Sequence, residues 1–89
     1  ASTDQIIATL ETTAKATKCL TLHTTLAQAY FNHGHHHKAR ELYQKLLPEV
    51  DSTVLKAQML FQVGYCYYLE KNLAKAEEAL EKAITHQPA

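Results

Sequence analysis

Residues 60–83, LFQVGYCYYLEKNLAKAEEALEKA, decide the fold, because the same pattern stands 37 positions earlier at residues 23–46, HTTLAQAYFNHGHHHKARELYQKL. Ala27 and Gly64, for example, occupy the same place in the two stretches. A repeat of about 20 to 50 residues indicates stacked structural units rather than a compact enzyme fold. The chain is therefore expected to be built from two such units.

The sequence between and around these stretches predicts helices joined by short turns. It contains only two glycines and two prolines, and no segment alternates apolar with polar residues. Gly34 and Pro48 are expected to end helices, Ser52 to cap one, and Asn72 to take the left-handed backbone of a turn. Five helices are predicted, at about Asp4–Ala16, Cys19–His33, His36–Leu47, Ser52–Glu70 and Leu73–His86.

The pattern resembles the tetratricopeptide repeat family. The second copy reads Leu60-x2-Val63-Gly64-x2-Tyr67, then Ala76-x3-Leu80, Ala83 and Pro88. The first copy reads His23-x2-Leu26-Ala27-x2-Tyr30, then Ala39-x3-Tyr43, with a histidine for the family's large aromatic residue and an alanine for its glycine. The resemblance covers about residues 20–88. It implies an all-α fold of antiparallel helix-turn-helix repeats stacked as a short α-solenoid.

Small and aromatic residues at fixed spacing are predicted to hold the paired helices together. These repeat-packing residues are Ala27, Tyr30, Ala39, Tyr43, Gly64, Tyr67, Ala76 and Ala83. The first repeat is placed at residues 19–51 and the second at residues 52–89. Residues 1–18 form an N-terminal helix that is either a cap or the remnant of a preceding repeat, and its apolar stripe consists of Ile6, Ile7, Leu10 and Ala14.

By resemblance, partner peptides lie in a concave groove lined by the first helix of each repeat. The residues placed there are Thr24, Gln28, Phe31, Asn32, Phe61, Tyr65 and Tyr68. In the alternative interpretation Phe31, Phe61 and Tyr68 pack between helices. Some chaperone adaptors of this family bind a partner's terminal carboxylate, but only Asn32 here suits that chemistry. The sequence therefore favours an amphipathic helix or an extended apolar peptide as the partner.

A second surface is expected on the outer side of the last helix. Leu73, Leu80 and Ile84 should lie partly where a following repeat would dock. This face then either meets more of the protein or pairs with a second copy, since exposed apolar patches drive association. The two functional hypotheses are a protein–protein interaction module of a scaffold or adaptor, and an assembly segment that self-associates inside a larger complex.

Four histidines around Gly34 are the one chemically distinctive spot: His33, His35, His36 and His37. Imidazoles bind zinc, copper and nickel, but a structural zinc site needs about four ligands in a tetrahedron. Neighbouring side chains on a turn point in different directions, so we expect exposed turn residues and no specific metal site. His36 is the exception, since its position in this family usually holds a packed aromatic residue.

Composition excludes several other classes of function. Nine basic and nine acidic residues give no net charge and no basic stripe, so a nucleic-acid partner is not expected. No catalytic or phosphate-binding motif occurs, no cofactor is predicted, and no apolar run could span a membrane. Cys19 and Cys66 are expected to be small buried apolar residues. They fit an intracellular, reducing compartment such as the cytoplasm.

Overall fold

The computed structural model describes residues 3–86, and within that range every regular element is helical. The α-helices are α1 (Thr3–Lys15), α2 (Leu20–Asn32), α3 (His36–Leu46), α4 (Thr53–Leu69) and α5 (Leu73–His86). Each packs against the next along the chain, and α4 and α5 share the largest contact. The all-α prediction of five helices stacked as a short solenoid is confirmed. Pro88, the last residue of the repeat pattern, lies outside the described residues.

The turns inside the two helical pairs have the same backbone. Gly34 ends α2 with φ of 85°, and Lys71, 37 positions later, ends α4 with φ of 63°. In both turns the next residue donates its N–H to a carbonyl five positions back, at 2.8 and 2.9 Å. The left-handed residue is thus Lys71, and the prediction that Asn72 takes this conformation is wrong. Asn72 instead caps α5, accepting from the N–H of Lys75 at 3.3 Å.

Small residues let paired helices approach closely. Ala27 and Ala39 are fully buried between α2 and α3. A Cβ added to Gly64 would lie 2.8 Å from Leu80 Cγ and 3.2 Å from the carbonyl oxygen of Ala76, both on α5. The backbone of α4 therefore touches α5 here, and only glycine fits without a shift. Of the remaining repeat-packing residues, Tyr30, Tyr43, Ala76 and Ala83 are also buried and Tyr67 is partly buried.

The connection between α3 and α4 contains a short helical turn and a core residue. Residues Leu47–Glu49 form a 3₁₀ helix that includes Pro48, so proline redirects the chain one turn after α3 ends. Val50 follows and is almost fully buried, which anchors the connection to the core. Ser52 then caps α4, as predicted, by accepting from the N–H of Leu55 at 3.2 Å.

Two predictions about individual residues are wrong. Ile6 was placed on the apolar stripe of α1, yet it is exposed, whereas Ile7 and Ala14 of the same stripe do enter the core. Cys19 lies exposed at the start of α2, and only Cys66 is buried. Between residues 3 and 86, no helix has both the length and the apolar character that a membrane span requires.

Candidate protein-binding groove

A groove runs between α2 and α4, the first helices of the two helical pairs. Its volume is about 370 Å³ and it is open to solvent; we call it the α2–α4 groove. Its lining residues are Thr24, Thr25, Gln28, Tyr43, Leu55, Gln58, Met59 and Gln62. Tyr43 and Met59 are buried and form its floor, while the polar side chains form its walls. The cleft is therefore apolar at depth and polar at its edges, as ligand-binding clefts commonly are.

An aromatic surface extends from the groove towards the C-terminal ends of both helices. The ring of Phe31 on α2 lies 5.6 Å from the ring of Tyr65 on α4, centroid to centroid. Tyr65 and Tyr68 stack nearly parallel, at 6.2 Å and 14°. Tyr65 is 43% exposed and Tyr68 57% exposed, whereas Phe31 packs partly against the core. We call these three rings the aromatic strip.

The helices that form this surface carry almost no charge. Of the nine basic and nine acidic side chains, Lys56 is the only one on α2 or α4. By contrast, α3 and α5 each carry several charges of both signs. Neither the lining of the α2–α4 groove nor the aromatic strip includes a charged residue. The surface offers no charged group for an ion pair, so only apolar contact and neutral hydrogen bonds are available there.

The residues predicted to line a groove are brought together in part. Thr24 and Gln28 line the α2–α4 groove. Phe61, by contrast, is 56% exposed on α4 and contacts no other ring among the described residues. The alternative in which Phe31, Phe61 and Tyr68 all pack between helices fits only Phe31.

Hydrogen bonds fix the amide of Gln28 in the wall of the groove. Tyr43 donates its hydroxyl to Gln28 Oε1 at 3.2 Å, and Gln28 Nε2 donates to Asn32 Oδ1 at 3.0 Å. Asn32, another predicted groove residue, is thereby held beside Gln28. Burial and a nearby thiol raise the pKa of Tyr43 to about 12, so its hydroxyl stays protonated at neutral pH.

Sequence reasoning missed two glutamines in the opposite wall. Gln58 and Gln62 line the groove from α4, and neither side chain has a hydrogen-bond partner within residues 3–86. They are four residues apart, and Tyr65 follows three residues later, so all three share one face of α4. That spacing, read from Tyr65 backwards, is the signal that could have found them.

The outer side of α5 exposes apolar side chains, as the second hypothesis expects. Leu73 is 62% exposed and Ile84 70% exposed. Leu80 is different, because it is partly buried and its Cγ packs over the Cα of Gly64. The candidate assembly face therefore consists mainly of Leu73 and Ile84.

The histidines around Gly34 do not converge on one point. His33 caps the end of α2, while His35 and His36 contact the rings of Tyr30 and Phe31, at 6.2 and 5.5 Å between centroids. His36 is partly buried, and its Nδ1 has no partner in the described structure. Across residues 3–86, no three His, Cys, Asp or Glu side chains are placed to hold a metal ion.

His37 belongs to a polar cluster that joins α3 to the end of α4. Arg40 donates to Glu70 from Nε at 2.6 Å and from Nη2 at 3.1 Å, and His37 Nδ1 lies 3.1 Å from the same carboxylate. The guanidinium of Arg40 also covers the ring of Tyr67, 4.5 Å from its centroid. The hydrogen bond from Arg40 lowers the pKa of Glu70 below its usual value. This cluster fixes α3 against α4 and was not predicted from the sequence.

Two further groups are held in neutral form by burial. Burial, the larger cause, and a hydrogen bond to Glu11 of α1, the smaller one, raise the pKa of Tyr30 to about 12. Burial likewise raises the pKa of the Cys66 thiol to about 11, so this thiol is not a nucleophile at neutral pH. The Tyr30–Glu11 bond ties α1 to α2 and so fixes the N-terminal helix onto the first pair.

Comparisons with known proteins identify the repeats. Two family models described as tetratricopeptide repeat match the chain, one at residues 25–47 and the other at residues 57–89. No curated protein and no solved structure matches it. Repeats of this family generally mediate protein–protein interaction, and the family is typically not enzymatic. Together with the solenoid of paired helices, these matches show that the chain belongs to the tetratricopeptide repeat family.

Proposed function

We propose that this chain is a protein–protein interaction module of a scaffold or adaptor, and that it binds a peptide or helix of its partner along the α2–α4 groove. The observation that carries the proposal is the aromatic strip, whose tyrosines are 43% and 57% exposed beside an open cleft. Removing apolar surface from water is favourable by about 25 cal/mol per Å², and part of this gain is offset by the entropy lost on association. Tyrosine is among the residues that dominate binding energy at protein interfaces.

The internal contacts of the surface support the same proposal. Tyr65 contacts both Phe31 and Tyr68, and the amide of Gln28 is held from both sides. Side chains that are already ordered lose less conformational entropy when a partner binds. In this proposal residues 19–51 and 52–89 are the two repeats that supply the walls, and residues 1–18 cover the first pair.

The outer side of α5 favours a second candidate function, self-association or assembly into a larger complex. Leu73 and Ile84 are both more than half exposed and lie on one helix. Covering them with a second copy or another subunit would remove apolar area from water without involving α2 or α4. The two candidates therefore use different surfaces and can be separated by mutation.

Selection from a displayed peptide library, followed by affinity measurement, tests the first candidate. Tyr65→Ala is expected to lower the affinity for the selected peptide by about tenfold or more, which is the usual effect of removing an aromatic residue from an interface. Ile84→Glu should leave that affinity unchanged. If Tyr65→Ala has no effect while Ile84→Glu abolishes binding, the groove is not the binding site.

Molecular mass over a dilution series, measured by light scattering, tests the second candidate. A dimer that Ile84→Glu converts to a monomer and Tyr65→Ala leaves intact would support assembly through α5. A monomer at every concentration would refute self-association, and the assembly hypothesis would then require a different protein as the partner.

A further inference from the structure

We propose that the occupant of the α2–α4 groove is an extended, uncharged, proline-containing segment of the partner. Its main chain pairs with Gln58 and Gln62, and a proline ring lies on the aromatic strip. This inference rests on the proposed function, since it specifies what the same groove takes.

The lack of charge on the groove excludes an acidic or basic segment as its natural occupant. Lys56, the one charged side chain of α2 and α4, does not line the groove. A carboxylate or ammonium group that entered would lose hydration and find no opposite charge, which is unfavourable. Binding to an uncharged segment should also depend little on salt, because screening acts on charge pairs.

The free amides of Gln58 and Gln62 favour an extended segment over a helix. Both lie in one wall of the groove without a hydrogen-bond partner in residues 3–86. A bound helix has satisfied its own main-chain groups and would cover these amides without pairing them, at about 1–3 kcal/mol for each group left unpaired. An extended segment carries free N–H and C=O groups, and a glutamine amide can both donate to and accept from them. The opposite wall adds the side-chain oxygens of Thr24 and Thr25 as acceptors.

The aromatic strip favours proline at one end of that segment. Stacked rings such as Tyr65 and Tyr68 present a flat apolar surface, and aromatic-lined grooves bind proline-rich segments in the polyproline II conformation. That conformation has no internal hydrogen bonds and is already ordered before binding, so little entropy is lost.

The length of the surface sets the length of the ligand. From Gln58 to Tyr68 the helix advances about 15 Å at 1.5 Å per residue. A polyproline II segment advances about 3.1 Å per residue, so about five residues reach from the glutamines to the strip. The ligand is then a short linear segment and not a folded domain.

Three synthetic peptides with blocked ends test the inference by fluorescence anisotropy. One is an uncharged sequence of proline and alanine, the second an amphipathic helical peptide and the third an acidic peptide. The proline peptide is expected to bind the protein most tightly, and its affinity should change by less than about twofold between roughly 50 and 500 mM salt. Gln62→Leu and Tyr68→Ala should each weaken the binding of the proline peptide by about tenfold, which corresponds to about 1.4 kcal/mol. Glu81→Leu, a change to leucine at an exposed position of α5 outside the groove, should not weaken the binding.

Two kinds of result would overturn the inference. If the helical or acidic peptide binds more tightly, and Tyr65→Ala weakens that binding, the groove still captures peptides but its ligand is not the one inferred. An affinity for the proline peptide that Gln62→Leu leaves unchanged would refute main-chain pairing. Failure of the proline peptide to bind also overturns the inference, and the library selection described above then decides separately whether the groove binds any peptide.

Discussion

Replacing Gly64 by alanine is expected to destabilise the protein, although alanine is the better helix former. The added Cβ would lie 2.8 and 2.9 Å from Leu80 Cγ and Cδ2, and 3.2 Å from the backbone oxygen of Ala76. The leucine side chain can rotate, but the oxygen belongs to α5 and moves only if the helix moves. Overpacking of this kind costs about 1–3 kcal/mol, while glycine to alanine gains about 1 kcal/mol of helix propensity. The expected net loss is about 1 kcal/mol.

A double-mutant cycle separates the steric cost from the propensity gain. In the Leu80→Ala background the two shortest contacts are absent and only the Ala76 oxygen at 3.2 Å remains, so Gly64→Ala should cost less than in the wild-type background, and the gain in helix propensity can then offset the cost. The free energy of unfolding is measured by urea titration, with helical circular dichroism as the signal. A stabilisation by Gly64→Ala in the wild-type background, equal to that in the Leu80→Ala background, would show that α4 does not touch α5 at this position. The close packing of the second repeat would then be wrong.

Four other variants, one of them followed in a pH series, test the remaining contacts by urea unfolding. Lys71→Gly should stabilise the protein by about 1 kcal/mol by relieving the left-handed backbone, and Gly34→Ala should destabilise it by a similar amount at the equivalent turn. Because the pKa of Glu70 is lowered in the folded state, its carboxylate stabilises the protein above pH 4.5, the usual carboxyl value, and this stability is lost as the pH falls below that value. Glu70→Gln should flatten this part of the dependence of the unfolding free energy on pH. An unchanged slope would contradict the contact with Arg40. Tyr30→Phe should lose about 1 kcal/mol with the bond to Glu11, and no loss would mean that α1 is not held there.

The fold was predictable because its signals are local. Gly34 and Ser52 act at helix ends within a few positions of the chain, and Gly64 packs against Ala76 and Leu80 of the next helix in the same repeat. The repeat then supplies the long-range pairing, since a pattern that recurs after 37 residues must pack its copies alike. The exposure of Tyr65 also follows, because Gly64 fixes the packed face beside it.

The features that were missed depend on tertiary placement. Arg40 and Glu70 are 30 residues apart, and nothing near either residue in the sequence points to the other. Cys19 is exposed because α2 begins only at the next residue, so its side chain lies at the chain's surface rather than on the buried stripe. Lys71 takes the left-handed conformation because the turn geometry requires it at that position, and residue preference alone pointed to Asn72.

The groove itself was predictable in position and only partly in chemistry. The resemblance placed its residues on α2 and α4, but the contact between Phe31 and Tyr65 joins two repeats and required the structure. The same holds for Gln58 and Gln62, whose importance comes from lying opposite Thr24 and Thr25 across the cleft. The nearly uncharged character of both helices, by contrast, can be read from the sequence once their bounds are known.

Mapping of backbone amide chemical shifts by NMR, with the tightest peptide from the library selection, tests the central claim most directly. The proposed groove predicts that the largest shift changes cluster on the exposed faces of α2 and α4, around Gln28, Gln62 and Tyr65. The amides near Leu73 and Ile84 on α5 should remain unchanged. Shift changes concentrated around Leu73 and Ile84, with α2 and α4 unaffected, would contradict the account and assign partner binding to the outer face of α5.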